Sequence, residues 1–375
     1  MMRQPQNQVI LLNFLHYTAL YASRPYLSLL AQDLGGSELE IGVTVSLYSF
    51  IQVFTALPAG RWIARRGTKR PSCFGTFSFL CGTVLLMFTS DLRLAGLSSL
   101  LLGAGHGLIL LCGQHSVTGI ADDTARTAAV GWLSFFNSVG TALGPLLGGK
   151  LRDLSGSGLG FSGAMLLSLA SFFAALRMAH GQPKGGETER VRPALQKPVV
   201  LDIFLSGAVF FAADVLPVYL PLYTSQLGLS SFLTGAVLSA NGIAQMAVRP
   251  FMGHLRKWYS VRQLLQKCLL TGGVCIALIG AIPAFGGILL TAALAGCTIG
   301  LANPLTLLTV SSAANDAERS QILALRVMAN YGAQALSPII FGAVSGVMGL
   351  APVLWCGGGI LFLSGITINM NHSAL

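Results

Sequence analysis

The chain has 375 residues, of which 53% are hydrophobic and 10% charged, whereas a soluble domain carries about a quarter charged residues. A mean hydropathy of +0.69 fits a polytopic membrane protein far better than one with a large soluble domain. The net charge of +10 invites a nucleic-acid partner, but the placement of the basic residues excludes it, because they follow alternate loops rather than one surface.

A membrane-spanning helix needs about 20 apolar residues, and hydropathy predicts six per half. In chain order they fall near 9–30, 40–59, 72–90, 94–119, 128–150 and 159–178, then 199–224, 232–252, 264–283, 286–310, 321–346 and 349–370. The first has only Arg3 ahead of it and too long an apolar run for a cleaved signal peptide, so it reads as helix 1. Residues 179–198, AHGQPKGGETERVRPALQKP, are the longest polar stretch and read as a linker. The expected organisation is a six-helix bundle over 1–178, a linker over 179–198 and a second six-helix bundle over 199–375. All seven cysteines (73, 81, 112, 268, 275, 297 and 356) fall within predicted helices. None has metal-ligand spacing, so they read as apolar packing residues, and no metal or cofactor is expected.

Of the 23 Lys and Arg residues, 18 sit at the N-terminus or beside the 2–3, 4–5, 6–7, 8–9 and 10–11 connections. Positive residues concentrate on the cytoplasmic side. Both termini and the linker are therefore expected inside, in a multi-pass protein of the cell inner (plasma) membrane.

The two halves repeat at an offset of 193 residues. Tyr26, Leu34, Gly35, Ser37, Gln52 and Gly60 recur as Tyr219, Leu227, Gly228, Ser230, Gln245 and Gly253. Farther on, Gly103, Gly107, Asp123, Asn137, Pro145 and Gly149 recur as Gly296, Gly300, Asp316, Asn330, Pro338 and Gly342. Membrane proteins built from parallel repeats place their substrate site between the halves, near the bilayer midplane, which points to transport.

Gly60-Arg-Trp-Ile-Ala64-Arg65-Arg66-Gly67-Thr-Lys69-Arg70 follows helix 2, and Arg249-Pro250-Phe-Met-Gly253-His-Leu-Arg256-Lys257 follows helix 8. Helix 5 carries Gly140-x-x-x-Gly144-Pro145-x-x-Gly148-Gly149. With the six-plus-six repeat, these resemble the major facilitator superfamily over essentially the whole chain. The resemblance implies an all-α membrane protein of twelve transmembrane helices, arranged as two pseudo-symmetric six-helix bundles. The helix 5 run is similar to the motif of that superfamily's proton-coupled drug and metabolite exporters.

Physical reasons stand beside the resemblance. Glycine serves a tight turn or a close backbone approach, and a Gly-Pro pair bends helix 5 so that a neighbour packs closely. The loop cations would meet acids supplied by the repeat: Arg65 or Arg66 with Asp316 or Glu318, and Arg256 or Lys257 with Asp122 or Asp123. Acids at a helix N-terminus also oppose the macrodipole favourably. Two departures from the family pattern matter. Ala64 stands where the loop signature carries Asp, and Ser99 stands where the exporters' helix 4 carries the Arg associated with proton coupling.

An ionisable group within a membrane span is presumed functional and paired. Helix 1 offers Arg24 and helix 7 offers Asp214, and the expectation is that these form a pair. Asn13, Tyr17, Tyr21, Arg24 and Ser28 fall within about 80° on helix 1, as one wall of a polar cavity. His106 and His115 lie on opposite faces of helix 4, and His106 shares its face with Ser99, Gly103 and Gln114. Histidine titrates near physiological pH, so Asp214 and His106 are the expected proton-coupling residues. Asn303 on helix 10 is the repeat partner of Leu110 on the His106 face. Arg326 lies near the end of helix 11 and is expected to snorkel to the membrane surface.

Gly144-x-x-x-x-Gly149-Lys150 brushes against a phosphate-binding loop, but Leu151 replaces the magnesium-binding hydroxyl and the segment lies at an apolar helix, which excludes it. No catalytic constellation is present, so an enzyme is not expected. The reading is a monomeric secondary transporter that exports a small organic solute or drug, with the proton gradient as energy source. Its alternatives are a symporter or uniporter importing a small metabolite and, more remotely, a membrane sensor.

Overall fold

The structure, a computed structural model, describes residues 5–118, 120, 122–178, 197–312 and 319–370, in which all regular structure is helical. In the first half these are α1 (Pro5–Asp33), α2 (Glu38–Arg66), α3 (Lys69–Phe88), α4 (Leu92–Thr118), α5 (Asp123–Leu159) and α6 (Ser162–Arg177). The second half begins with α7, in two pieces (Lys197–Ala213 and Val215–Gln226), and α8 (Ser231–Val248, continued by a 3-10 turn at Arg249–Phe251 and by Met252–Leu255). It ends with α9 (Val261–Ala281), α10 (Phe285–Ser312), α11 (Arg319–Met348) and α12 (Leu350–Met370). The twelve helices match the number expected.

Nine helices among the described residues are long and apolar enough to cross a membrane. Helices α5 and α6, bent by 95° at their junction, pass the same test together. Helix α1 has the length, with 29 residues, but its polar side chains lower its hydropathy.

Local chemistry sets the ends. Ser37 caps α2 in a reciprocal box with Glu40, and Ser260 does the same for α9 with Gln263. Ser230, the repeat partner of Ser37, accepts from Leu233 N at 3.3 Å as α8 begins. Helix α2 runs to Arg66, past its expected end at 59, because Arg65 and Arg66 complement the negative end of the helix. Gly67 then stops it at φ 71°, a conformation that favours glycine. Helix α5 also overruns its expected limits, starting at the Asp122 cap and running past 150 until Gly156, at φ 78°, breaks it ahead of a last short turn to Leu159. Helix α7 breaks at Asp214 because Pro217, three residues on, has no N–H for the carbonyl of Ala213.

The chain divides into two compact units, residues 1–187 with 230–239, and residues 188–229 with 240–375. The first turns of α8 thus pack with the first unit. Within each unit the duplication is visible as repeated contacts. Tyr26 Oη donates to Pro145 O at 2.6 Å, and its repeat partner Tyr219 donates to Pro338 O. A Cβ added to Gly103 would lie 2.0 Å from Tyr48 O, and one on Gly296 would lie 2.4 Å from Asn241 O, the same pair one repeat later. Tyr26→Phe and Tyr219→Phe are each expected to cost about 1–2 kcal/mol. Their costs should add, because the two bonds lie in different units. Unfolding curves in detergent check this, and a variant as stable as wild type would count against the shared role.

Candidate functional site

In the first unit, one stack of side chains links four helices. The guanidinium carbon of Arg24 (α1) lies 4.6 Å from the centroid of the Tyr48 ring (α2). The ring of His106 (α4) lies 5.9 Å from that of Tyr48, at 26°. His106 Nδ1 is 3.0 Å from His16 Nε2 (α1), with the two imidazoles at 17°. Phe79 (α3) closes the far side, edge-on to His16 at 4.5 Å. Tyr17 meets His106 edge-on at 5.5 Å and lies 6.4 Å from Tyr21. The result is a cation, an aromatic spacer and a hydrogen-bonded histidine pair inside a membrane-spanning bundle, with His16 and His106 only 1% and 9% exposed. Such an array holds positive charge against π faces and offers imidazole nitrogens for proton transfer.

Asn13 and Ser28 of the expected helix 1 stripe are buried within the bundle. Asn13 is buried, donates to Val9 O at 2.9 Å and rests against Gly113. Ser28 donates to Pro25 O. His115, on the opposite face of α4, is half-buried.

Helix α5 shows what its glycine run does. Added Cβ atoms on Gly140, Gly144 and Gly148 would lie 2.9 Å from Thr18 N, 2.6 Å from Tyr21 Cβ and 2.2 Å from Ala22 O. Glycines at intervals of four therefore let α1 lie directly on α5, the small-residue packing of membrane helices. Gly149 does the same for the start of α8, where an added Cβ would lie 2.2 Å from Ser231 O. Pro145 contributes its carbonyl to Tyr26. One turn past the motif, Asp153 accepts from Ser231 N and Phe232 N, both at 2.8 Å, and so caps α8. Arg152 pairs with Asp33 at the end of α1.

The second unit has its own polar groups. Asp214, 3% exposed, stands at the break in α7. Asp202 in the first piece of α7 is buried and lies 3.7 Å from Arg262. Arg326 does not snorkel. It is 8% exposed, and its Nη2 donates to Asn303 O at 3.3 Å and Thr306 Oγ1 at 3.0 Å. Two oxygens of α10 hold the Nη2 end of the guanidinium inside the bundle, away from the membrane surface. This also places the expected cavity residue Asn303 against Arg326. Arg24 and Asp214, expected as partners, lie in different units.

The loop residues divide. Asp316 and Glu318 lie outside the described residues, as does the side chain of Asp123. Asp122 accepts from Ala125 N at 2.6 Å as the cap of α5. Arg65, Arg66, Arg70, Arg256 and Lys257 are exposed. Gly60 and Gly253, expected to serve turns or close approaches, instead lie within helical turns with open space around them. Of these three signature glycines only Gly67 is used for its conformation.

His16, Tyr48 and Asp202 are the residues that the sequence reading misses. A signal for them is present in the repeat. Counted 193 residues along, Arg24, Tyr48, His106 and His16 correspond to Pro217, Asn241, Ile299 and Val209. In reverse, Asp202, Asp214 and Arg326 correspond to Val9, Tyr21 and Leu133. Packing residues coincide between the repeats, and the buried ionisable residues do not. Among the described residues, no group of three or more His, Cys, Asp or Glu side chains is placed to hold a metal ion.

Comparison with known proteins adds the family. A family model described as Major Facilitator Superfamily matches residues 9–338. The quinolone resistance protein NorA of Staphylococcus aureus (strain MSSA476) is 23% identical over 224 residues, which is 59% of this chain and 54% of that protein. The chain thus spans about half the length of the curated relatives it matches. Among solved structures, a mutant form of the nucleoside transporter NupG aligns with a TM-score of 0.84 at 13% identity, covering 98% of this chain and 99% of that one. The peptide transporter POT in complex with sulfate aligns with a TM-score of 0.83 at 16% identity, covering 99% and 94%. At these identities the likeness is one of fold.

Proposed function

Since this chain belongs to the major facilitator superfamily, we propose that it is a secondary active exporter that exchanges a small organic solute or drug for protons by alternating access. The observation that carries the reading is the set of ionisable groups held inside the spans, above all Arg24 with His106 in the first unit and Asp214 in the second. Such groups are costly in a bilayer and mark solute and proton pathways. The glycine ladder of α5, fully engaged with α1 and α8, and the similarity to a quinolone resistance protein support export rather than import. A proton that binds one conformation better than the other shifts the equilibrium between them by its difference in affinity. The protein would work as a monomer in the plasma membrane with both termini in the cytoplasm, without a cofactor.

The test is transport in proteoliposomes under an imposed pH gradient, screened over quinolones, organic cations, nucleosides and short peptides. Outward antiport predicts that an opposing proton gradient drives accumulation of at least one solute. Accumulation that instead follows protons in the same direction would establish the importing symporter. Equilibration that ignores the gradient would establish a uniporter.

A further inference from the structure

We propose that His16 and His106 form a two-histidine proton site whose loading competes with the seat of Arg24 on Tyr48. The coupling role rests on the exporter reading above, whereas the proton site itself does not.

The geometry leads there directly. His16 Nε2 and His106 Nδ1 are 3.0 Å apart, so one N–H bridges the pair. If His16 donates, its own Nδ1 is left with a free lone pair. If His106 donates, the free lone pair is on its Nε2. In either tautomer the donor ring is the one that can accept a further proton. That proton forms one new N–H bond and breaks none, and it turns the bridge into a stronger charge-assisted hydrogen bond. The pair therefore suits two states, neutral and singly charged, better than two charges.

The surroundings supply the coupling. The groups facing the pair are Tyr17 and Arg24 from α1, Tyr48 from α2 and the uncharged Phe79 from α3. Helices α5 and α6 reach this part of α1 through Gly140, beside Tyr17, and through Ser171, which donates to Leu12 O. Arg24 is the cation that the stack holds beside the pair. It rests on the ring that also stacks with His106, so a proton on the pair and the guanidinium oppose each other through Tyr48. Loading the pair weakens the hold of Arg24 on α2, and release restores it. No residue of this stack has an equivalent in the second repeat, where Val209, Pro217, Asn241 and Ile299 occupy the corresponding positions.

The experiment is proton uptake by the purified full-length chain in weakly buffered detergent, stepped from pH 7.5 to 3 with indicator dyes. The double variant H16Q/H106N keeps an amide at each bridging nitrogen position, and so keeps a hydrogen bond while removing the basic site. It is expected to take up one proton fewer per chain than wild type. Arg24→Gln is expected to raise the midpoint of that proton by roughly one pH unit, from the loss of a charge held against the ring that stacks on His106. Equal uptake by wild type and double variant would overturn the proposal. Should the double variant not fold, wild-type chain labelled with 15N-histidine gives the same decision. Two rings that titrate together and respond to Arg24→Gln sustain the site, and six independently titrating rings defeat it. Uptake that depends on the pair without any pH-driven transport by wild type would defeat the exporter reading alone.

Discussion

Gly148→Leu is expected to abolish transport and to cut the folded yield at least tenfold. A single added Cβ would already lie 2.2 Å from Ala22 O and 2.7 Å from the Tyr26 ring. Backbone cannot give way as the end of a flexible side chain can, so α1 must lift off α5. Overpacking a fitted contact costs about 1–3 kcal/mol, and this one replaces a direct helix–helix seam rather than a side-chain gap. The loss would spread, because α1 also carries Arg24 and His16, whose neighbours lie on α2 and α4. Size-exclusion profiles of a fluorescent fusion measure the yield. Gly253→Leu, in open space, is the matched control and should elute as wild type. A Gly148→Leu protein with a wild-type profile would refute the seam.

Asp214→Asn is expected to remove pH-driven transport, by tenfold or more, while leaving solute-for-solute exchange. The carboxylate is 3% exposed at the break of α7, within a span, where a charge without a purpose would be lost. Asn keeps the shape and hydrogen bonding but cannot ionise, so binding should survive and only the response to the gradient should fail. Equal pH-driven accumulation by variant and wild type would remove Asp214 from coupling and leave the histidine pair as the proton carrier. Loss of both activities would mean that Asp214 holds the break in α7 together.

The fold is legible in the sequence where one physical rule dominates. Spans follow from apolar length, and the repeat follows from residues such as Tyr26, Gly103 and Pro145, whose contacts recur at Tyr219, Gly296 and Pro338. Helix ends are less legible. Hydropathy stops at the first charge, whereas α2 continues through Arg65 and Arg66 because a helix end welcomes cations. At the site, Arg24 and His106 stand out as charge and histidine on polar faces. His16 does not, because it lies one residue off the Tyr17 stripe, and its use depends on a ring 90 residues away. Arg326 is misread for a related reason. Distance from the helix end can be read from sequence, but the oxygens of Asn303 and Thr306 that hold it cannot.

The boundary at Ser230–Ser239 means that the first bundle is not self-sufficient. These ten residues lie beyond the linker in the chain but belong by packing to the first unit. They give Tyr26 a second acceptor in Ser231 O at 3.3 Å and supply both backbone donors to Asp153, while Gly235 closes over Pro145 O. A ribosome that has finished residue 187 has therefore made a half whose Asp153 carboxylate and α5 glycine groove still await partners. The first bundle completes itself only after some fifty further residues emerge, so assembly of the two halves is interleaved in time rather than sequential.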